Sequence, residues 1–322
     1  MARIVFMGTP PFAVPSLERM AAEHDVVAVY SQPPRPSGRG MKMRVSAVHA
    51  RAEELSLHVE TPEQLDAAAV AGLRAHDADF FIVVAYGLIL PEAVLSLPKK
   101  AAINGHASLL PRWRGAAPIH RAIAAGDSMT GTTAMLMAKT LDSGPMLCHR
   151  QIPINADDTT ASLHDRLAQL TADVLAEAVA GFDHLTPVPQ NDDEVTWAEK
   201  ISPAEAEIDF AMAADEIERR IRAFAPFPGA WLTAAHDDGT AQRIKVLAAR
   251  ITGADAPQPR DASGAAAGEV LGVGAAGGPL IATGDGVLEL THVQPPGKAV
   301  MDGAAFLNGN RLPQRISRSE QD

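Results

Sequence analysis

The sequence predicts an α/β protein: an open, mostly parallel sheet covered by helices, followed by a smaller β-rich domain. Three observations predict it. Strand and helix signals alternate through the first half of the chain. A continuous apolar run, FFIVVAYG (80–87), suits a central strand covered on both faces. Beyond about residue 190 the pattern changes to short strands separated by Gly and Asp, which fits a small barrel.

The elements follow in order. RIVFMG (3–8) reads as a strand ending at Gly8, where a missing Cβ suits a tight turn. FAVPSLERMAAE (12–23) reads as a helix, DVVAVYS (25–31) as a second strand, and QPPRPSGRGMKMRV (32–45) as a loop. SAVHARAEEL (46–55) is a helix with Ser46 as N-cap, and LHVE (57–60) a third, short strand. After the central run, AAIN (101–104) is the fifth strand, and 157–182 one long helix. TPVPQNDDEV (186–195) reads as a linker and AADEIERRIRAF (213–224) as a helix. The strands AWLTAAH, QRIKVLAARI, GEVLGVG and PLIATGDGVLELTHV close the chain, and 262–278 is a Gly/Ala-rich turn plus strand. In open α/β sheets, ligands lie beyond the carboxyl ends of the strands. GTPP, AYGL and NGH all fall there.

Composition narrows the function. The 322 residues favour about two domains. The net charge of −11 argues against non-specific coating of nucleic acid. One basic run stands out: Arg35, Arg39, Lys42 and Arg44, with no acidic residue from Gln32 to Ala52. By itself it reads as a solvated loop or as a local phosphate-binding patch. Cys148 is the single cysteine, so no internal disulfide forms, which suits a reducing compartment. The N-terminus has no signal-peptide layout, and 80–90 is far shorter than the ~20 residues of a membrane span. A cytoplasmic protein is expected.

The chemistry-bearing stretch is INGHASLLPRWRGAAPI. Asn104 can donate to a developing oxyanion, and His106 can exchange a proton near neutral pH. Asp142, in TLDSGPM, can orient or charge the imidazole. On the N-x-H spacing alone, a histidine after a strand is more often a structural hydrogen-bonder. His106, His120 and His149 lack zinc-site spacing, Ser108 lacks a nucleophile elbow, and GTPPFAVP lacks the Walker lysine. Arg112, Trp113 and Arg114 read either as a solvated surface turn or as a fork for an anionic partner.

NGHASLLPRWRGAAPI, with VVAYGLILP upstream and LDSGPML downstream, resembles the methionyl-tRNA formyltransferase family. The likeness extends to VFMGTPPFA, SQPPRPSGRGMK, DDTTASLHDRL, WAEKISPAEAEIDF, IRAFAPFPGAW and ATGDGVLEL. It implies a Rossmann-like formyltransferase domain over 1–187, a linker over 188–206, and an OB-like β-barrel domain over 207–322 that binds tRNA. It implies transfer of a formyl group from 10-formyltetrahydrofolate to the α-amine of methionyl-initiator-tRNA, without a metal. The acidic, aromatic-poor composition gives no sign of a large obligate interface, so a monomer is expected. Asn104, His106 and Asp142 take the catalytic positions. Tyr86, Gly87, Leu88 and Ile89 would line the folate slot, with Ser108, Leu109, Leu110, Pro111 and Thr140. Arg35, Arg39, Lys42 and Arg44 would meet the tRNA, joined by Arg243, Lys245 and Lys298 in the second domain. Rival readings are an amino-sugar-nucleotide formyltransferase and a non-catalytic tRNA-binding relative. The chain departs from the family pattern at Ala138 and Thr140, before the LDSG turn, at Ala107 beside the histidine, and at SAVH (46–49), which has one basic residue fewer. Thr140 is expected to be strained if that turn needs a positive φ there.

Overall fold

The computed structural model describes residues 1–38, 40–235, 241–252 and 264–318. The chain divides into two compact units. The first comprises Met1–Pro118, Met129–Pro153 and Leu163–Glu199, and the second Ile119–Ser128, Ile154–Ser162 and Lys200–Asp322.

The first unit is built on a seven-stranded sheet. Its strands are β1 (Arg3–Gly8), β2 (Asp25–Tyr30), β3 (Val59–Glu60), β4 (Phe80–Val84), β5 (Ala101–His106), β6 (Met129–Leu136) and β7 (Met146–Pro153). They lie in the order β7-β6-β5-β4-β1-β2-β3. Pairings from β3 through β5 are parallel, and β5–β6 and β6–β7 are antiparallel. All five residues of β4 are buried, as its unbroken apolar pattern requires. Each of Phe80 and Phe81 contributes roughly 1.5–3 kcal/mol by leaving water. The order reverses direction at β1, with β2 on one side and β4 on the other. In such sheets that switch point opens a crevice at the strands' carboxyl ends.

β6 and β7 are absent from the sequence reading, and β6 shows why. MTGTTAML is nearly all buried yet carries three threonines, so its hydropathy does not alternate. The Thr132 hydroxyl meets that of Thr171 (3.1 Å), and the Thr133 hydroxyl donates to the Ser108 carbonyl (2.8 Å). Helices α1 (Val14–Glu23), α2 (Ala47–Glu54) and α4 (Thr160–Gly181) follow the expected positions, whereas α3 (Ala67–Ala75) is absent from the sequence reading. Ser46 caps α2 by accepting from the His49 amide at 3.0 Å. Gly8 has no positive φ; its need is space, because a Cβ there would lie 2.8 Å from Phe6 Cε1 and 2.9 Å from Ala13 Cβ. The expected loop 32–45 contains a short hairpin, Arg35–Ser37 against Lys42–Arg44, turned through Gly38 and Gly40 at φ 71° and 90°. Arg39 lies outside the described residues.

The second unit carries an antiparallel sheet of β8 (Ala230–Ala235), β9 (Ala241–Ile251), β10 (Val270–Val273), β11 (Pro279–Ala282) and β12 (Val287–Gln294). Their order is β8-β9-β12-β11-β10, with Met301–Asp302 also pairing β12. The expected barrel does not close: among the described residues no pairing joins the edge strands β8 and β10. Helix α5 (Ala214–Phe224) packs on β9 through Ala214, Ile217, Ile221 and Phe224, an apolar stripe at helical spacing. His236 and positions 262 and 263 of the expected strands and turn are outside the described residues. No described helix is long and apolar enough to cross a membrane.

Candidate active site

The carboxyl end of β5 explains the N-x-H spacing. Residues two apart on a strand share a face, so Asn104 and His106 point to one side and Gly105 to the other. On Gly105's side runs α4: a Cβ there would lie 2.7 Å from Thr171 Cγ2 and 3.0 Å from Leu175 Cδ1. The glycine lets the helix press against the strand end. Both polar side chains are nearly buried, Asn104 at 9% exposure and His106 at 7%.

His106 is anchored by its far nitrogen. Nε2 lies 2.8 Å from the Trp113 carbonyl, which can only accept, so Nε2 carries the proton. Nδ1 then faces Asp142, 3.7 Å from Oδ2. Asn104 Nδ2 donates to Asp142 Oδ1 at 3.4 Å, and the Gly115 amide donates to Oδ2 at 2.9 Å. The carboxylate thus joins all three side chains, although it lies 38 residues after Asn104.

Asp142 sits in the tight turn between β6 and β7. Its φ is 50°, a left-handed conformation costing a non-glycine residue about 1–2 kcal/mol. Thr140 is not in that region, so the strain expected there falls on Asp142 instead. Gly144 makes the turn possible, because a Cβ on it would overlap the Leu136 carbonyl oxygen. Ala85 (φ 47°) and Trp113 (φ 65°), in the loops after β4 and β5, are also left-handed. Such strain persists only where surrounding contacts impose it.

Those contacts come from a stretch the sequence reading assigned to the linker. Residues 188–199 belong to the first unit. Trp197–Ala198 pairs with Arg114–Gly115, and Val188 with Met146. Thr196 accepts from the Trp113 amide at 2.8 Å and, through its carbonyl, from the Arg114 amide at 2.9 Å. Gln190 Nε2 donates to the carbonyls of Asp142 (2.9 Å) and Gly144 (2.8 Å). Its Oε1 accepts from Arg114 Nε at 2.8 Å. Arg114 is 5% exposed and its Nη2 pairs with the Asp192 carboxylate at 3.4 Å, so it belongs to the site's internal framework and is not a solvated turn residue. Arg112 lies over the Trp113 ring, 4.4 Å from its centroid. Gln190, Thr196 and Gly115 were not anticipated. A polar residue in a proline-broken acidic stretch carries no local signal of such a role.

At the switch point lies a cavity of about 360 Å³, lined by Thr9, Gln32, Arg35, Arg44, Tyr86 and Gly87, among others. It brings together two of the expected folate residues and two of the expected tRNA residues. The Thr9 hydroxyl donates to the Tyr86 carbonyl at 2.7 Å. The Tyr86 hydroxyl and Gln32 Nε2 are buried without a partner among the described residues. Burial pushes the Tyr86 phenol well above its usual range, and the neighbouring Tyr30 adds to the effect. Arg35 donates to Gln32 Oε1 at 2.9 Å and stands opposite Arg44 in the hairpin register.

The remaining expected ligand residues separate. Leu88 packs against the core, whereas Ile89 is 84% exposed. Ser108 is fully buried, its hydroxyl donating to the Arg112 carbonyl at 2.6 Å, so it offers a ligand nothing. Leu110 is buried, its amide donating to Thr133 Oγ1 at 3.2 Å, while Leu109 and Pro111 are half-buried. Thr140 is exposed beside Leu141, which is 58% exposed. Lys42 is exposed on the hairpin. In the second unit, Arg243 and Lys245 alternate on β9, and Arg243 lies 3.8 Å from the Trp231 ring centroid. Arg243 and Lys298 line a cavity of about 410 Å³ with Pro295, Met301 and Asn310.

A switch-point crevice with an Asn-His-Asp constellation at its strand ends defines a class before it defines a substrate. Residues 2–179 match the formyl transferase family and residues 200–311 the formyl transferase C-terminal domain, and the chain belongs to this family. Its relatives narrow it further. It is 50% identical over 316 residues to methionyl-tRNA formyltransferase of Jannaschia sp. (strain CCS1), covering 96% of this chain and 97% of that protein. It is 49% identical over 314 residues to the methionyl-tRNA formyltransferase of Ruegeria pomeroyi, covering 97% and 98%. Among solved structures, the N-formyltransferase from Helicobacter canadensis in complex with folinic acid and dTDP-3-aminofucose shares the fold. Its TM-score is 0.62 at 18% identity, over 90% of this chain and 99% of that one.

Proposed function

We propose that this chain transfers the formyl group of 10-formyltetrahydrofolate to the α-amino group of methionyl-initiator-tRNA, giving N-formylmethionyl-tRNA. The observation that carries the reading is the convergence of Asn104, His106 and Asp142 at one strand end, with His106 Nδ1 facing the carboxylate. In the transfer, the amine nitrogen bonds to the formyl carbon, the bond to the folate nitrogen breaks, and one proton moves from amine to leaving nitrogen. Neutral His106 offers a lone pair at Nδ1 and can take the amine proton; as an imidazolium it can return that proton. Asp142 stabilises the imidazolium. Asn104 Nδ2 donates to the oxygen that gains charge as the carbonyl becomes tetrahedral. Strained but fixed loops hold these groups before substrate arrives.

The residues present fit a folate. Exposed Ile89 and Leu141, at the ligand end of the sheet, offer apolar surface to a planar ring, and the loop 85–89 offers main-chain groups. On the tRNA side, Arg35 and Arg44 face each other across the hairpin, a like-charge pairing that an anion between them would relieve. Lys42 extends the same patch, Arg39 belongs to the basic run by sequence alone, and Arg243, Lys245 and Lys298 supply phosphate contacts from the second unit. We read catalysis and folate binding in 1–187 with 188–199 walling the site, a connector in 200–206, and tRNA binding in 207–322. One chain supplies all three catalytic side chains, so no partner copy is needed to complete the site, and a monomer in the reducing cytoplasm is the reading that its composition and single cysteine support.

Formyl transfer to methionyl-initiator-tRNA from 10-formyltetrahydrofolate, measured for wild type and Asp142→Asn, tests this. Wild type is expected to transfer, and the variant to be slower by about 10²–10⁴-fold. Wild type that binds tRNA but transfers nothing would sink the reading.

A further inference from the structure

We propose that Gln190, oriented by the buried Arg114, is a positioning residue for Asp142. The inference rests on the reading of Asp142 as the catalytic carboxylate.

Gln190 uses both ends of its amide. Arg114 Nε can only donate, so Oε1 must face it, and this directs both Nε2 hydrogens at the Asp142 turn. They reach the carbonyls of Asp142 and Gly144 at 2.9 and 2.8 Å. The first of these carbonyls belongs to the left-handed residue itself. Its peptide plane therefore cannot relax toward ordinary φ without breaking a hydrogen bond. The carboxylate end is held separately, by the Gly115 amide at 2.9 Å. Arg114 and Gly115 are consecutive, and both are fixed by pairing with 197–198. One two-residue strand thus grips Asp142 twice: through Gly115 at its side chain, and through Arg114 and Gln190 at its backbone. Gly115 is itself constrained, with φ 118° and room for a Cβ only 2.8 Å from the Ala198 carbonyl oxygen. Packing alone does not require a glutamine here, since a methionine would fill similar volume. What the position uniquely needs is a side chain that accepts on one end and donates twice on the other.

The test compares wild type with Gln190→Met and Gln190→Glu, following kcat, both KM values, the pH profile of kcat and the thermal midpoint. The methionine variant is expected to lose about 10- to 100-fold in kcat, with both KM values close to wild type. Its thermal midpoint is expected to be lowered, because Arg114 Nε and two carbonyls lose their partner. The glutamate variant keeps the acceptor but lacks a donor while ionised. It is expected to be similarly slow at neutral pH and to recover relative to wild type as the introduced carboxyl group protonates. An unchanged kcat in both variants would overturn the proposal. So would losses of kcat that vanish when each variant is assayed well below its thermal midpoint, where it is fully folded. If wild type transfers formyl and Asp142→Asn does so equally well, the role of Asp142 fails first, whatever the Gln190 variants show.

Discussion

Asn104 and His106 were legible in the sequence because period-two geometry puts residues two apart on one face of a strand, whatever surrounds it. Asp142 was a candidate from its residue type, its catalytic position given only by resemblance, and Gln190 was missed altogether, since both reach the site across turns that no local pattern encodes. The intolerance of one residue follows from backbone contacts: Gly144 faces the Leu136 carbonyl oxygen with no room for a methyl group. Gly144→Ala is expected to destabilise the protein by about 1–3 kcal/mol and to slow transfer, because the Asp142 turn must move. Thermal denaturation alongside the transfer assay checks both, and a variant as stable and active as wild type would contradict the geometry described. His106→Ala should lower the transfer rate far more than tRNA affinity, which comparison of turnover with direct binding reads out.

Among the elements, the strongly periodic ones declared themselves and the polar buried ones did not. β4 and α5 follow from apolar run and apolar stripe. β6 escaped because buried threonines, satisfied by Thr171 and Ser108, resemble a surface segment in sequence. The turn between β10 and β11 is organised by another buried polar group, Glu289 on β12. Its fully buried carboxylate accepts from the amides of Ala276 (2.7 Å) and Gly278 (3.1 Å) and pairs with half-exposed Arg250 at 2.6 Å. Solvent weakens the ion pair, so the amide bonds dominate. Glu289→Ala leaves two donors unsatisfied and is expected to lower stability by about 3 kcal/mol. Urea denaturation is the measurement, and a midpoint equal to wild type would show the turn to hold without it.

For the whole molecule, charge distribution matters more than net charge. A chain of net charge −11 keeps a basic hairpin, which suits a partner that is anionic at one place instead of everywhere. Arg44→Ala is expected to weaken tRNA binding and to reduce the slope of log affinity against log salt by about 1, the share of one phosphate contact. Identical slopes would remove Arg44 from the interface. The sequence by itself determined the α/β class, the change to a β-rich second half, the strand-end placement of Asn104 and His106, and the isolated basic run. Each of these is a local property of pattern, spacing or composition. Only the tertiary structure decided that Asp142 bears the strain, that Arg114 is buried, that Ser108 is closed to ligands and that 188–199 walls the site. It also decided that the second sheet stays open among the described residues. These depend on which distant segments lie together, and hydrogen bonds between residues tens of positions apart leave no trace in the pattern around either partner.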